Sequence, residues 1–186
     1  MAITFTATRT RSGTDVPFHN ADDSGLPEIT RVETETATMI ANGDITKDVQ
    51  ISSDELTRTV TIVCNSISAL NGYYNLLTDV NVGKEFSESI KSLPNASGYV
   101  HSRTLTGIDS PFTVTITYAF PEGTSADIDQ VPQGGRFSNI QVLSNSVVVV
   151  YSFKDSSEFN GKFGDNPDIR NQLINNNITR TYSFAL

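Results

Sequence analysis

The sequence contains one cysteine, Cys64, and no tryptophan. A single cysteine excludes an intrachain disulfide framework, and zinc sites of the usual type need several Cys and His ligands. Cys64 ends the run TVTIVC, so we expect a small buried residue at the end of a strand. Catalysis by its thiol would need a basic partner, which only His19 or His101 could supply. The lone cysteine therefore predicts neither a disulfide nor thiol catalysis.

Positive charge is also scarce. Thirteen Lys and Arg residues face 21 Asp and Glu, which gives a net charge of −8 and a pI near 4.6. This balance opposes attraction to a phosphate backbone, so we expect no direct contact with nucleic acid. No apolar run approaches the length of a membrane span, and the N-terminal residues lack the apolar core of a signal peptide. The sequence thus predicts a protein made in a cytoplasm, without a membrane partner.

Threonine, serine and asparagine supply most of the polarity, since charged residues make up only 18% of the chain. Threonine at alternate positions favours strands with one solvated face. The N-terminal ITFTATRT alternates in this way and predicts such a strand. The same pattern predicts strands at residues 30–39, 46–52, 56–64, 99–106, 111–120, 146–153 and 177–186.

Helical spacing of apolar residues follows two of these strands. Ser66 and the pair Asp155 and Glu158 are suited to cap the helices that begin there. The apolar positions are Leu70, Tyr73, Tyr74 and Leu77, then Phe86, Ile90 and Leu93, and in the second half Phe159 and Phe163. These positions predict short helices that pack on the sheets.

The two halves of the chain resemble each other. When Val60 is aligned with Val149, Asn71-Gly72 falls on Asn160-Gly161. The N-terminal ITFTATRTRSG matches FTVTITYAFPEG at a larger offset, so the first copy would contain a longer loop or an extra hairpin. Chance matching is easy within the narrow alphabet of strand residues, but the joint match favours a duplication.

Together these patterns predict an α+β, β-rich fold of antiparallel sheets, with one or two short helices packed on them. The repeat predicts two subdomains of the order strand, strand, helix, strand, over residues 1–108 and 109–186. The alternative is a single sheet system in which both halves share one core.

Acidic residues gather in two loops. His19, Asp22 and Asp23 lie in HNADDSG, and Asp127 and Asp129 lie in ADIDQ. Calcium loops need more oxygen ligands at alternating positions, so both segments are expected to be solvated. The segment QGGRF lacks the strand-then-helix frame of a phosphate loop. We therefore predict no metal, no cofactor and no catalytic residue.

Two motifs in the first half suggest a family. One is a strand and loop of the type TxTR followed by Phe; the other is a DxLTRTxT strand leading into a short helix with Tyr and Asp. The matching residues are Thr8, Arg9, Thr10 and Phe18, then Asp54, Leu56, Thr57, Arg58, Thr59, Thr61 and Ser66, and finally Tyr74 and Asp79. This pattern resembles small virion-associated structural proteins of tailed bacteriophages, particularly those of T4-like marine cyanophages.

The resemblance implies a non-enzymatic structural component of a virion, in the tail, neck or baseplate or associated with the capsid. Such a protein would be made in the host cytoplasm, form a homo-oligomer and bind other virion proteins, such as a tail, neck or major capsid protein. Sheet edges and chain ends are common assembly sites. The candidate assembly edges are Ile3, Phe5 and Arg9 in the N-terminal strand and Arg180, Tyr182 and Phe184 in the C-terminal strand.

Two other functions are compatible with the sequence. The first is a receptor- or carbohydrate-binding module, whose binding end would be formed by loops 13–28 and 121–137. Only Phe18 and Phe137 would offer aromatic contacts there, which disfavours this reading. The second is a small hydrolase with an acidic pair, which 21 acidic residues can neither support nor exclude.

Overall fold

The computed structural model describes residues 2–14, 18, 26–91, 100–132, 137–163 and 167–186. The strands are β1 (Ile3–Thr10), β2 (Ile45–Ile51), β3 (Thr57–Cys64), β4 (Val100–Thr106), β5 (Phe112–Ala119), β6 (Phe137–Val142), β7 (Ser146–Phe153) and β8 (Thr179–Ala185). The helices are α1 (Pro27–Ala41), α2 (Ile67–Thr78), α3 (Val80–Lys91), α4 (Ser156–Phe163) and α5 (Pro167–Asn175). With 35% helix and 38% strand, the predicted α+β, β-rich fold is confirmed, although it has about five helices rather than one or two.

Two four-stranded antiparallel sheets have the same strand order. The first is β2-β3-β1-β4 and the second is β6-β7-β5-β8. Their registers also agree: Ile3 of β1 lies opposite Cys64 of β3, and Phe112 of β5 lies opposite Phe153 of β7. Each unit therefore repeats one topology, with three strands, two helices and a final strand, and the first unit inserts α1 between its first two strands.

Alternation along the strands gives each sheet one apolar and one polar face. In β5 every second residue from Phe112 to Tyr118 is buried, while the threonines between them are partly exposed. In β1, Ile3 and Phe5 are buried and threonines occupy the other face. The apolar faces carry the helices, and buried residues of both units form one continuous cluster. The chain passes from one unit to the other between β4 and β5; the division at residue 108 into subdomains stays a prediction.

The strand predicted at residues 30–39 is wrong, because this segment lies in helix α1. Pro27 stands in the first turn, where a missing N–H does no harm. The hydroxyls of Thr34 and Thr38 donate to the carbonyls four residues earlier, both at 3.0 Å. Ile29 and Thr36 are the buried residues of the helix. Packing of this face overrides the weak strand preference of threonine.

The N-terminal strand is not an edge, which corrects the expectation for Ile3, Phe5 and Arg9. β1 lies between β3 and β4 and pairs with both along nearly its whole length. Its backbone groups are therefore used within the sheet. Ile3 and Phe5 are core residues, and Arg9 lines a cavity under the helices. A period of two predicts a half-buried strand but does not indicate how many neighbours the strand has.

β8 is an edge strand, as expected, but helix α2 of the first unit covers part of its outer side. The amide of Asn75 accepts from the N–H of Tyr182 at 2.6 Å and donates to the same residue's carbonyl at 2.8 Å. Asn71 accepts from the N–H of Phe184 at 2.8 Å. Tyr182 and Phe184 themselves are buried. An asparagine amide offers one donor and one acceptor, so it can stand in for a neighbouring strand.

The reverse contact joins the second unit to β4. Asn160 of α4 accepts from the N–H of Leu105 and donates to its carbonyl, both at 2.8 Å. Asn160 is the repeat counterpart of Asn71, and each unit thus closes the outer edge of the other. At the centre of this exchange, the hydroxyl of Tyr74 donates to the carbonyl of Phe163 at 3.3 Å. The Asn-Gly pairs mark this reciprocal contact, which leaves β2 and β6 as the remaining sheet edges.

Candidate functional site

β2 and β6 are outermost strands whose outer sides pair with no strand among the described residues, and we call them the open edges. They occupy equivalent positions in the two units. Each is the outermost strand next to β3 or β7, and Ile51 lies opposite Arg58 as Val142 lies opposite Val147. In an antiparallel edge strand, half of the backbone N–H and C=O groups point away from the sheet. These two strands can therefore accept a further strand.

Exposed aliphatic side chains concentrate on these edges. Seven large apolar side chains are exposed in the described residues, and four of them belong to β2 or to the end of β6. Val49 and Ile51 are 41% and 56% exposed, and Val142 and Leu143 are 52% and 44% exposed. Scattered apolar residues on a surface need no explanation, but a group at two equivalent edges suggests a contact surface.

Both edges also carry features that restrict pairing. Lys47 of β2 forms an ion pair with Glu33 of α1 at 3.1 Å. In β6 the register with β7 shifts between Phe137 and Asn139, which is a bulge. Charges and bulges on edges discourage indiscriminate pairing. The regular, uncharged parts are Val49–Ile51 and the residues that end β6.

A second candidate site is a cavity of about 120 Å³ beneath the helices of the first unit. It is bounded by the helix-covered face of the first sheet, by α1, α2 and α3, and by the ends of α4 and β8. We call it the basic cavity after its cationic lining residues, which are Arg9, Lys47, Arg58, Arg103, Lys162 and Arg180. His101 also lines it. A concentration of positive charge in a chain of net charge −8 is a departure from the composition as a whole.

The basic residues are placed by strand register. Arg9 of β1 has Arg58 of β3 opposite it on one side and His101 of β4 on the other. One step along the same face, Ala7 lies between Val60 and Arg103. Because all of these residues share one face, their side chains converge beneath the helices.

Two of the arginine guanidinium groups make cation–π contacts with aromatic rings. Arg9 lies over the ring of Phe86, 4.7 Å from its centroid. Arg180 lies 5.0 Å from the centroid of Tyr182. Such contacts stabilise an arginine in a partly buried place and fix its plane.

Negative charge in the lining is limited and already engaged. Glu33 and Asp79 are the carboxylates among the described lining residues. Glu33 binds Lys47, while Asp79 lies 3.5 Å from Arg31 and accepts the N–H groups of Asn81 and Val82 at the start of α3. Among the described lining residues, six cationic side chains therefore face two carboxylates.

Burial governs the titration of nearby groups. Desolvation lowers the pKa of Lys162, against the opposing effect of Glu158, and it raises the pKa of Tyr73. Cys64 is buried in the core, and desolvation raises the pKa of its thiol to about 11. The thiol is therefore protonated at neutral pH, in agreement with the expectation that it is a core residue.

Most of the other sequence predictions concern helix caps and loops. Ser66 accepts from the N–H of Ala69 at 3.1 Å, and Asp155 accepts from the N–H of Glu158 at 2.9 Å, so both predicted caps are confirmed. Asp127 accepts from the N–H of Asp129 at 3.0 Å and begins a short 3₁₀ helix. Its carboxylate is used as a cap.

No group of three metal-ligating side chains occurs in the parts of the chain that the structure describes. His19, Asp22, Asp23 and the glycines of QGGRF lie outside these parts. Phe18, one of the aromatics considered for a sugar-binding loop, is buried beneath Arg11 at 4.2 Å. Phe137 begins β6.

The sequence alone did not predict the basic cavity. Its arginines come from four separate strands, but each stands between two hydroxyl residues, in TRT at positions 8–10, 57–59 and 179–181 and in SRT at 102–104. In an alternating strand this places arginine on the face that should be apolar. That misplaced charge is the signal that could have revealed the cavity.

None of the helices among the described residues is long and apolar enough to span a membrane. In comparisons with known proteins, no family model, no curated protein and no solved structure matches the chain.

Proposed function

We propose that this chain is a non-enzymatic structural component of a tailed-phage particle, which assembles as a homo-oligomer through its open sheet edges. The observation that carries the proposal is the group of exposed aliphatic residues on β2 and β6. The phage context comes from the resemblance of the TxTR and DxLTRTxT motifs to virion proteins. Its partners would be copies of itself and other virion proteins of the tail, neck, baseplate or capsid.

The arrangement of the edges favours a head-to-tail contact. β2 belongs to one unit and β6 to the other, and the contact between the units uses neither of them. Pairing of β2 with β6 of the next copy leaves one open edge at each end of the pair, so addition can continue. Contacts of this kind generate closed rings when the rotation between copies closes.

Cysteine cross-linking tests which edges meet. Ile51→Cys and Val142→Cys combined in one chain should give a ladder of cross-linked oligomers, whereas each single variant should give none. The matched control is Ile40→Cys on α1, which is exposed to a similar extent but belongs to neither edge strand. Dimers formed by Ile51→Cys alone would contradict a head-to-tail contact.

Light scattering at several concentrations gives the native mass in parallel. We expect a fixed oligomer for the unmodified protein and a monomer for Ile51→Lys combined with Val142→Lys, because a buried lysine at each edge opposes pairing. Ile40→Lys should retain the oligomer. A monomer at every concentration for the unmodified chain would overturn assembly by this chain alone.

The virion assignment has its own test. Mass spectrometry of purified particles of a phage that carries this gene should detect the chain at a fixed copy number. Its absence from particles, with normal synthesis in the infected cell, would refute the virion role and leave the edge contact to be explained otherwise.

A further inference from the structure

We propose that the basic cavity binds a phosphate group, either free or carried by a small organic molecule. This inference is independent of the assembly role, because it rests on a cavity beneath the helices and not on pairing at the sheet edges. Six cationic side chains and His101 line the cavity, and the described lining residues include two carboxylates: Glu33, which binds Lys47, and Asp79, which binds Arg31. Arginine presents several donors in one plane and is suited to bind phosphate oxygens in pairs.

The strand register brings two of the arginines together on one face of the first sheet. Arg9 and Arg58 are directly opposite each other on neighbouring strands, and like charges in that arrangement destabilise a sheet. The second sheet places Tyr118 and Val147 at the equivalent positions. The fold is thus compatible with uncharged residues there, so it does not itself require the two arginines, and their proximity suits an anion that both can contact.

A buried donor gives a second, independent indication. The Nε of Arg180 is buried and makes no hydrogen bond within the described residues. Arg180 extends from β8 of the second unit into the cavity of the first. Buried donors in proteins are nearly always satisfied, so this group is available to a ligand oxygen.

The walls limit what can bind. Tyr73, Leu77, Val82, Phe86 and Phe163 give the cavity apolar and aromatic surfaces between the cations. A volume of about 120 Å³ admits a phosphate and a small attached group, but not a folded polymer. The chemistry therefore fits inorganic phosphate or a compact phosphate monoester with an apolar part.

Isothermal titration calorimetry at constant ionic strength tests the proposal with two probes, inorganic phosphate and phenyl phosphate, in a chloride background. We expect saturable binding with one site per chain. Binding of both probes with similar affinity indicates free phosphate, whereas a clear preference for phenyl phosphate indicates an organic ligand. The absence of saturable binding for both probes would overturn the proposal.

Variants locate the site. Arg58→Gln and Arg180→Gln should each weaken binding at least tenfold, and Arg58→Lys should lie in between because it keeps the charge but loses the paired donors. Lys154→Gln is the matched control, since this side chain is 76% exposed and does not line the cavity. Thermal unfolding of each variant checks that it is folded. Equal loss in the control, or unchanged affinity in Arg58→Lys and Arg58→Gln, would refute the assigned site.

Discussion

The two units have the same topology but differ in the side chains that fill the space beneath their helices. At equivalent register positions, the first sheet has Ala7 between Val60 and Arg103, and the second has Ile116 between Val149 and Tyr182. These three residues of the second sheet are buried almost completely, and the ring of Tyr182 lies 6.1 Å from that of Phe163 in α4, between centroids. The first sheet instead borders the basic cavity.

The next set of aligned residues on the same face of each sheet shows the same difference. Arg9 lies between Arg58 and His101, whereas Tyr118 lies between Val147 and Arg180. The two units therefore have the same strand order, while volume and charge at a few interior positions decide whether a unit is packed or hollow. Repeat architectures allow one copy to carry the packing while the other is modified.

The largest effect on stability is expected where the same change is made in the packed and in the hollow unit. Val149→Ala removes two methyl groups from a fully packed position and should lower the free energy of unfolding by about 2–3 kcal/mol. Val60→Ala makes the same change beside the cavity, so the cost should be about 1 kcal/mol. Urea unfolding of both variants measures the difference.

Equal costs for the two valines would contradict the comparison, because they would show that the first unit is packed as tightly as the second. The two positions are matched in residue type and in register, since Val60 pairs with Ala7 as Val149 pairs with Ile116. Differences in strand propensity therefore cancel between the two variants.

The asparagines that join the units should give an intermediate effect. Asn160→Ala leaves both backbone groups of Leu105 without their partner and should lower the free energy of unfolding by about 1–2 kcal/mol. Asn71→Ala removes one hydrogen bond to Phe184 and should cost about 1 kcal/mol or less, since Asn75 still binds the same strand. Thermal or urea unfolding measures both.

A matched control for this pair is Gly161→Ala, which changes the residue beside Asn160. An added methyl group would meet no atom within 4 Å there. Alanine is the better helix former, so stability should hold or rise by up to about 1 kcal/mol. A loss at Gly161 as large as at Asn160 would assign the role of the Asn-Gly pair to the glycine.

The sequence could predict the repeat because its clearest features lie close together along the chain. The strand of β-branched residues before Cys64, the cap at Ser66 and the Asn-Gly pair all lie within one short segment, and their counterparts lie in one segment of the second half. Hydrophobic periodicity and helix-capping residues depend on residues that are near in sequence, so they can be recognised directly. This reasoning failed at α1, where alternating threonine and glutamate predicted a strand but the segment forms a helix.

The sites depend on contacts between distant segments, which periodicity does not report. The position of β1 inside its sheet follows from pairing with both β3 and β4, and no residue of β1 indicates two partners rather than one. The open edges became apparent only because Asn71 and Asn160 close the other two. The cavity needed the register that brings Arg9, Arg58 and Arg103 to one face.

A small effect on stability, of either sign, should come from filling the hollow unit with the residue that its counterpart carries. Ala7→Ile copies Ile116, and the added side chain enters the cavity that Ala7 lines. Larger residues destabilise packed cores but are tolerated where space exists, so the free energy of unfolding should change by no more than about 1.5 kcal/mol in either direction. Urea unfolding checks this. Val114→Phe makes the reverse exchange in the packed unit, because it copies Phe5 at the equivalent register position, and it should cost more, about 1–3 kcal/mol.

Ala7→Ile has a further consequence that separates a ligand site from a packing defect. If the cavity binds phosphate, the filled variant should lose saturable binding in calorimetry while it keeps its fold and its oligomeric mass. A filled variant that gains stability and still binds phosphate would place the anion elsewhere. Strong destabilisation of the Ala7→Ile variant would show that the first unit is as closely packed as the second. The proposed difference between the two units would then be wrong.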